Sequence, residues 1–404
     1  MTRKTFKRSL AAAGALAACS SAWAQSSVTL YGTVDAGITY TSNQQITQAD
    51  GSVGSGHNFA FSGGNLVPSR YGLMGIEDLG GGLQAKFMLE NSFYTGSGNF
   101  VQGGSLFNRQ AWVGLAQEGF GTLSLGRQYD SYSDFLGPYV SSNNWATLYG
   151  SHLGDVDNLN EAFNFNNAIK YTSPDWNGFS VGGTYSLGGV AGDFAQRRGY
   201  AFAATYAREP FSISAGYLNL HNPLDAALGG SAGYIGDFAC SNPSALYCQL
   251  QNAEALKAYG AGASYVIGPA TIALTYTHTK LEHSQYFADS ANPQGRNIAF
   301  DIGEANLTYA ATPFLQLGLA YIYNVAKVDG GSSTRFHQVN LGANYALSKR
   351  TALYGVAILQ KATGAGLGID PVTGASVNYA QIPNLPNSNN DRQVSVTLGI
   401  RHNF

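Results

Sequence analysis

Five carboxylates and no cation occupy one stretch of this chain. Asp130, Asp134, Asp155, Asp157 and Glu161 lie between Gln128 and Ile169, and no Lys or Arg interrupts them. Arg70 and Arg109 precede the stretch and Lys170 follows it. Carboxylates held against guanidinium and ammonium groups across a water-filled gap create a transverse field. Such a field sets ion preference and aligns dipolar solutes without making or breaking a bond.

Bond-making chemistry finds little support. Gly229-Gly230-Ser231-Ala232-Gly233 matches the nucleophile-elbow pattern, but it sits in a Gly-rich loop rather than at a strand-to-helix turn. No H-E-x-x-H or P-loop pattern occurs, and the seven His are scattered. No nucleophile, base and orienting group assemble from the sequence, so no catalytic residue, metal or cofactor is expected.

The elements that must hold the charges are written as alternation. In "SSVTLYGTVDAGITY", Val28, Leu30, Val34, Ala36, Ile38 and Tyr40 share one face, and Thr29, Tyr31, Thr33, Asp35 and Thr39 take the other. "LQAKFMLE" puts Leu83, Ala85, Phe87 and Leu89 against Gln84, Lys86, Met88 and Glu90. Sixteen such segments are predicted, at about 28–40, 68–77, 82–92, 108–117, 121–127, 167–174, 178–187, 199–208, 210–218, 256–266, 270–278, 298–310, 314–325, 335–347, 351–361 and 393–404. Short Gly- and Pro-marked turns such as "EDLGG", "QEGFG" and "IGP" join them at one end. Long polar stretches join them at the other, at roughly 41–67, 93–107, 128–166, 188–198, 219–255, 279–297, 326–334 and 362–392.

Composition agrees with this pattern. Charged residues make up 11% of the 404, against about 25% in soluble domains. Gly numbers 51, Tyr 25 and Phe 21. The predicted fold class is therefore all-β: a 16-stranded antiparallel transmembrane β-barrel with short periplasmic turns and long extracellular loops. Its terminal strand, "QVSVTLGIRHNF", must pair with the first strand, because an open edge in lipid leaves backbone groups unsatisfied. Phe404 is then the rim residue of the closing strand, with its aromatic ring at the membrane interface. A soluble sandwich or solenoid fits less well. The connections are too unequal for the first and no fixed period marks the second.

Parity assigns the charges. Lipid-facing Arg or Lys costs about 2–4 kcal/mol at mid-bilayer. Arg70 alternates with outward Tyr71 and Leu73, and Arg109 with outward Gln110 and Trp112. Lys170 lies between outward Ile169 and Tyr171. All three are expected to face the lumen as a basic wall opposite the acidic stretch, with Asp35, Lys86 and Glu90 as further lumen residues. Arg127 shares parity with outward Leu123 and Leu125 and is expected at a strand end or a subunit contact.

Residues 1–24 read as a cleaved Sec-type signal peptide, with Arg3, Lys4, Lys7 and Arg8 before an apolar run and Ala22-Trp23-Ala24 at the cleavage site. Leu16-Ala17-Ala18-Cys19 also resembles a lipoprotein processing site, a match that small-residue signal regions produce easily. The remainder, 25–404, forms the barrel. It has 18 basic and 24 acidic residues and a formal charge of −6, which gives no nucleic-acid footprint. Cys240 and Cys248 are expected to form a disulfide outside the cell, worth about 2–3 kcal/mol. The competing reading, a metal pair, lacks a His nearby.

"VTLYGTVDAG", "LGRQYDSYSDFLG", "GANYALSKRTALYG" and "LGIRHNF" together resemble the general porins of Gram-negative bacteria, in their beta-proteobacterial form. The resemblance covers the whole of 25–404 and keeps the motifs in order. It implies a homotrimer in the outer membrane, set in lipid and lipopolysaccharide. Each barrel would be a passive channel for ions and small hydrophilic solutes, narrowed by a third loop folded inward. By motif, Arg70 in "SRYGLMG" and Arg109 in "NRQAWVGL" match the basic wall, and Asp134 in "YSDFLG" the acidic start of the loop. Two features depart from the family. Thr33 stands where some relatives carry a lumenal Lys, and "GPYVSSNNW" replaces a "PEFGG" loop tip. A substrate-selective barrel channel and an outer-membrane hydrolase are the alternatives.

Overall fold

The computed structural model describes residues 27–48, 53–101, 105–161, 163–223, 232–234, 253–288, 290–331, 333–369 and 376–404. The expected signal peptide, 1–24, and the expected disulfide pair, Cys240 and Cys248, lie outside the described residues.

Sixteen antiparallel strands form a closed barrel. They are β1 (Ser27–Thr47), β2 (Arg70–Gly80), β3 (Leu83–Ser92), β4 (Gln110–Gln117), β5 (Gly121–Gln128), β6 (Phe163–Thr172), β7 (Phe179–Ser186) and β8 (Gly199–Arg208). Then follow β9 (Phe211–His221), β10 (Ala255–Ile267), β11 (Ala270–Ser284), β12 (Arg296–Ala310), β13 (Leu315–Val328), β14 (Ser333–Ala346), β15 (Thr351–Gly364) and β16 (Arg392–Asn403). Each pairs with its neighbour in sequence, and β1 pairs with β16 from Thr33↔Asn403 to Thr41↔Ser395. Beyond that ladder, Phe404 N–H donates to Gly32 O at 3.0 Å and Gly32 N–H to Phe404 O at 3.1 Å. The Phe404 ring lies over Gly32, where a Cβ would come within 2.3 Å of it.

Burial is inverted relative to a soluble protein. Leu30, Ile38, Val113, Leu274, Leu319, Leu341 and Leu398 are exposed, whereas Thr39, Ser124, Thr277, Asn340 and Thr397 on the opposite parity are buried. That is the signature of lipid outside and polar contacts within.

Two features differ from the sequence expectation. The segment 41–67 is not simply a polar loop: β1 runs on to Thr47 and pairs with an additional strand, Val53–Gly63. Ser55, His57, Phe59 and Phe61 alternate outward along that strand, a period-2 signal diluted by its Gly, Ser and Asn content. Nor is the inner wall polar throughout. Leu218, Leu256, Ile302, Ile322 and Phe336 are buried inside the barrel and form one apolar cluster with Tyr132, Leu136, Val140, Val156 and Leu159 of the third long loop. On β12 and β14 these inward apolar residues are flanked by polar ones, Asp301 beside Ile302 and Arg335 and His337 beside Phe336, so no continuous hydrophobic run marks them in the sequence.

A candidate constriction beside the third loop

The third loop, described over residues 129–161, folds into the barrel. It contains two short helices, α1 (Ser131–Leu136) and α2 (Ser141–Asn144), and three single turns of 3-10 helix. Asp130 caps α1, accepting from Tyr132 N at 2.8 Å and Ser133 N at 3.0 Å, a standard N-cap geometry.

Aromatic rings seat the loop on glycines of the far wall. A Cβ on Gly262 would lie 2.6 Å from the Tyr139 ring, and one on Gly318 2.2 Å from Trp145. Gly342, directly opposite Gly318 in register, would meet the same Trp145 ring at 2.5 Å. Only glycine leaves room for this approach of ring to backbone. Tyr139 Oη also shares a hydrogen bond with Ser214 Oγ at 2.9 Å.

His152 pins the loop a second time. Its Nδ1 lies 2.6 Å from Asp157 of the loop, and its Nε2 3.0 Å from Glu304 of β12. Thr277 of β11 donates to Asp157 at 2.6 Å, and Ser141 N to Glu304 at 2.7 Å. Burial alone would disfavour the imidazolium. Carboxylates on both ring nitrogens outweigh it and hold the His152 pKa up at about 10. Burial likewise pushes the Asp157 carboxyl up, but the adjoining His152 reverses this and holds it below the usual carboxylate range.

With the loop fixed to one wall, the open space lies against the other. A cavity of about 470 Å³ is lined by Arg70, Arg109, Asp134, Asn143, Glu161 and neighbouring residues of the loop and of the 66–68 segment. Arg109, 3% exposed, donates from Nε to Glu90 at 2.8 Å and from Nη2 to Glu161 at 3.2 Å. Arg70, 28% exposed, reaches the same Glu90 at 3.7 Å. Tyr31 Oη donates to Glu90 at 2.9 Å, and the Arg109 guanidinium lies 5.3 Å from the centre of the Tyr129 ring. Lys170 pairs with Asp134 and donates to Tyr129 O at 2.9 Å. Asp134 and Glu161 are about one-third exposed.

Four of the expected residues stand elsewhere. Asp130, Asp155 and Asp157 do not face the basic wall; they are fully buried and spend their carboxylates inside the loop or on its anchor. Peptide N–H partners make Asp130 and Asp155 structural caps, whereas Asp157 is held by the side chains of His152 and Thr277. Asp35 is not an open lumen residue either. It is buried, accepting from Asn65, Leu66 and Val67 N–H groups and from Tyr354 Oη at 2.6 Å, which ties the 64–67 turn to β1 and β15. Lys86 is half-buried on the inner parity of β3. Arg127 lies at the end of β5, donating to Asn108 O at 2.6 Å. Sequence reading missed Tyr31, Tyr129, His152 and Glu304. His152 offered a signal, as the one His inside the acidic stretch.

A closed barrel with an apolar exterior, crossed by an inward loop that leaves a charged aqueous gap, defines a membrane channel. A family model for the Gram-negative porins matches residues 9–301. Outer membrane porin protein 32 of Delftia acidovorans is 30% identical over 98% of this chain and 100% of that protein. An outer membrane porin protein of Bordetella pertussis is 30% identical over 90% of this chain and 99% of its own length. Among solved structures, an anion-selective porin from Comamonas acidovorans is 26% identical with a TM-score of 0.67, covering 94% of this chain and 100% of that one. This chain belongs to the Gram-negative porin family and forms a channel in the outer membrane.

Proposed function

We propose that the channel is a general diffusion porin with weak ion preference, its constriction formed by Arg70, Arg109 and Lys170 on one side and Asp134 and Glu161 on the other. One observation carries this reading: the cations and carboxylates around the gap balance. Three basic groups meet Glu90, Glu161 and Asp134, and every cation has a carboxylate within 4 Å. Balanced opposed charges give a strong field across the pore and little net charge within it, so dipolar solutes are aligned while neither ion is excluded. Asp130, Asp155, Asp157 and Asp35 support the scaffold instead.

In planar bilayers under a salt gradient the wild type shows a reversal potential near zero. Arg70→Gln removes the best exposed cation and moves it toward cation preference. An unchanged potential would take Arg70 out of the constriction. A second reading, firm anion selectivity, draws on the Comamonas relative, whose name states that property; a large wild-type reversal potential of anionic sign would establish it instead.

The assembled form in this reading is a homotrimer of chains exported by the 1–24 signal and cleaved after Ala24. Heat-modifiable migration on a denaturing gel tests the oligomer, and amino-terminal sequencing of membrane-extracted protein tests the cleavage.

A further inference from the structure

The wall beside β1 is interrupted at one level. Ala36 pairs with Gly63 of the additional strand, whereas Thr33 pairs with Arg70 of β2. Six residues, 64–69, therefore stand opposite two, Val34 and Asp35. A strand that carries extra residues against its partner bends and leaves the ladder there. Here the excess turns into the lumen. Leu66 is buried in one apolar cluster with Tyr354, Val356 and Ile358 on the inner face of β15. Leu148 N–H of the third loop donates to Asn65 O at 2.7 Å. The result is a ledge that reaches from the barrel wall to the loop.

Asp35 holds the ledge in place. One of its carboxylate oxygens accepts from Asn65 N at 3.2 Å and from Tyr354 Oη at 2.6 Å. The other accepts from Leu66 N at 3.1 Å and from Val67 N at 3.4 Å. Successive peptide N–H groups turned onto one carboxylate form an anion nest. All four donors are neutral and Asp35 is fully buried, so its charge depends on every one of them.

The ledge gives the gap a side without charge. Val67 and Pro68, both half-buried, line the same cavity as Arg70, Asp134 and Glu161. Pro138, exposed, and Leu148, half-buried, line it from the loop. Charges of both signs and an apolar surface thus border one space of about 470 Å³. A solute that meets only the charges is oriented by their field. One that also carries an apolar flank gains contact with Val67 and Pro68 and leaves less of its apolar surface in water.

We propose that Val67 and Pro68 are specificity-determining residues of the channel, set at the gap by Asp35 as positioning residue, and that they favour small zwitterions with a compact apolar side group. This specificity rests on the constriction assigned above. Asp35→Asn would turn an amide NH₂ toward two of the four donors in either orientation. The ledge would leave its place, while Arg70 and Arg109 keep Glu90 and Glu161.

The test is liposome swelling by the reconstituted protein in isosmotic leucine or asparagine, two zwitterions of nearly equal size. Wild type should admit leucine about threefold faster, the scale of contact worth somewhat less than one buried methylene. Val67→Thr exchanges a methyl for a hydroxyl at nearly constant shape. That variant and Asp35→Asn should each bring the ratio close to one and leave the reversal potential unchanged. Lys349→Gln, in the short turn after β14, should keep the wild-type ratio. A wild-type ratio near one would overturn the proposal, as would a Val67→Thr channel that still prefers leucine threefold. An Asp35→Asn channel that slows both solutes alike would remove Asp35 as the positioning residue. If Asp35→Asn yields no heat-modifiable form, Tyr354→Phe, which removes one donor of the four, is read by the same criteria with a smaller fall expected. The constriction itself fails by a separate sign: Arg70→Gln would leave the reversal potential unchanged, whatever the ratio of the two amino acids.

Discussion

Glu90 is the residue on which the basic wall depends. It holds Arg109 at 2.8 Å, Arg70 at 3.7 Å and the Tyr31 hydroxyl at 2.9 Å, while itself almost wholly buried. Taking one partner from a buried pair leaves the other charge uncompensated, at a cost of about 3–5 kcal/mol. Glu90→Gln keeps the shape and removes the charge. It should lower the thermal midpoint of the detergent-solubilised barrel and move the reversal potential toward anion preference, because Arg70 and Arg109 lose their shared counter-charge. Glu90→Gln with an unaltered midpoint and potential would show that Glu161 alone suffices for Arg109.

The third loop behaves as an element held by two kinds of fastening. The first is steric: Trp145 on Gly318 and Gly342, and Tyr139 on Gly262. A side chain at Gly318 collides with the Trp145 ring rather than with a flexible tip, so Gly318→Val should lift the loop from the wall. Single-channel recordings would then show noisier current with altered conductance; a quiet, wild-type trace would mean that the ring finds another seat. The second fastening is electrostatic. The His152 pKa rises on folding from 6.5 to about 10, so its contribution is fully present below 6.5 and is lost as pH rises toward 10. Asp157 is depressed below 3.8, so its contribution is present above that value and is lost as pH falls. Loop protection against protease should therefore be greatest between about pH 4 and 6.5 and should weaken on the alkaline side. His152→Phe should flatten the alkaline limb and, because His152 is what depresses the Asp157 carboxyl, should remove the acid limb with it.

At the scale of the whole molecule, the strands were readable because a barrel wall facing lipid repeats its chemistry every second residue. Leu317, Leu319 and Tyr321 expose one face of β13, and all three are exposed as that parity requires. The inward loop's seat was not readable. It depends on Trp145 meeting two glycines that are opposite in register but 318 − 145 = 173 and 342 − 145 = 197 positions away along the chain. No local pattern encodes such a contact. The loop acids misled for a related reason: a carboxylate in a polar loop looks the same whether it faces water, as Asp134 does in part, or caps a helix, as Asp130 does. The seam between β1 and β16 is the last joint to be tested. Gly32 sits where a Cβ would strike the Phe404 ring at 2.3 Å and the Arg70 carbonyl oxygen at 2.6 Å. The ring could rotate away, but the carbonyl belongs to the β1–β2 ladder, in which Thr33 pairs with Arg70. Gly32→Leu therefore pushes the end of β1 away from β2 as well as against the Phe404 ring of the closing seam, and an edge opened in hydrocarbon leaves backbone groups unsatisfied at several kcal/mol each. The variant should lose the compact, heat-modifiable form on a denaturing gel, whereas Gly355→Leu, where a Cβ meets only the Leu398 side chain at 3.1 Å, should keep it. Both variants folding alike would mean that closure does not depend on the packing of the final residue.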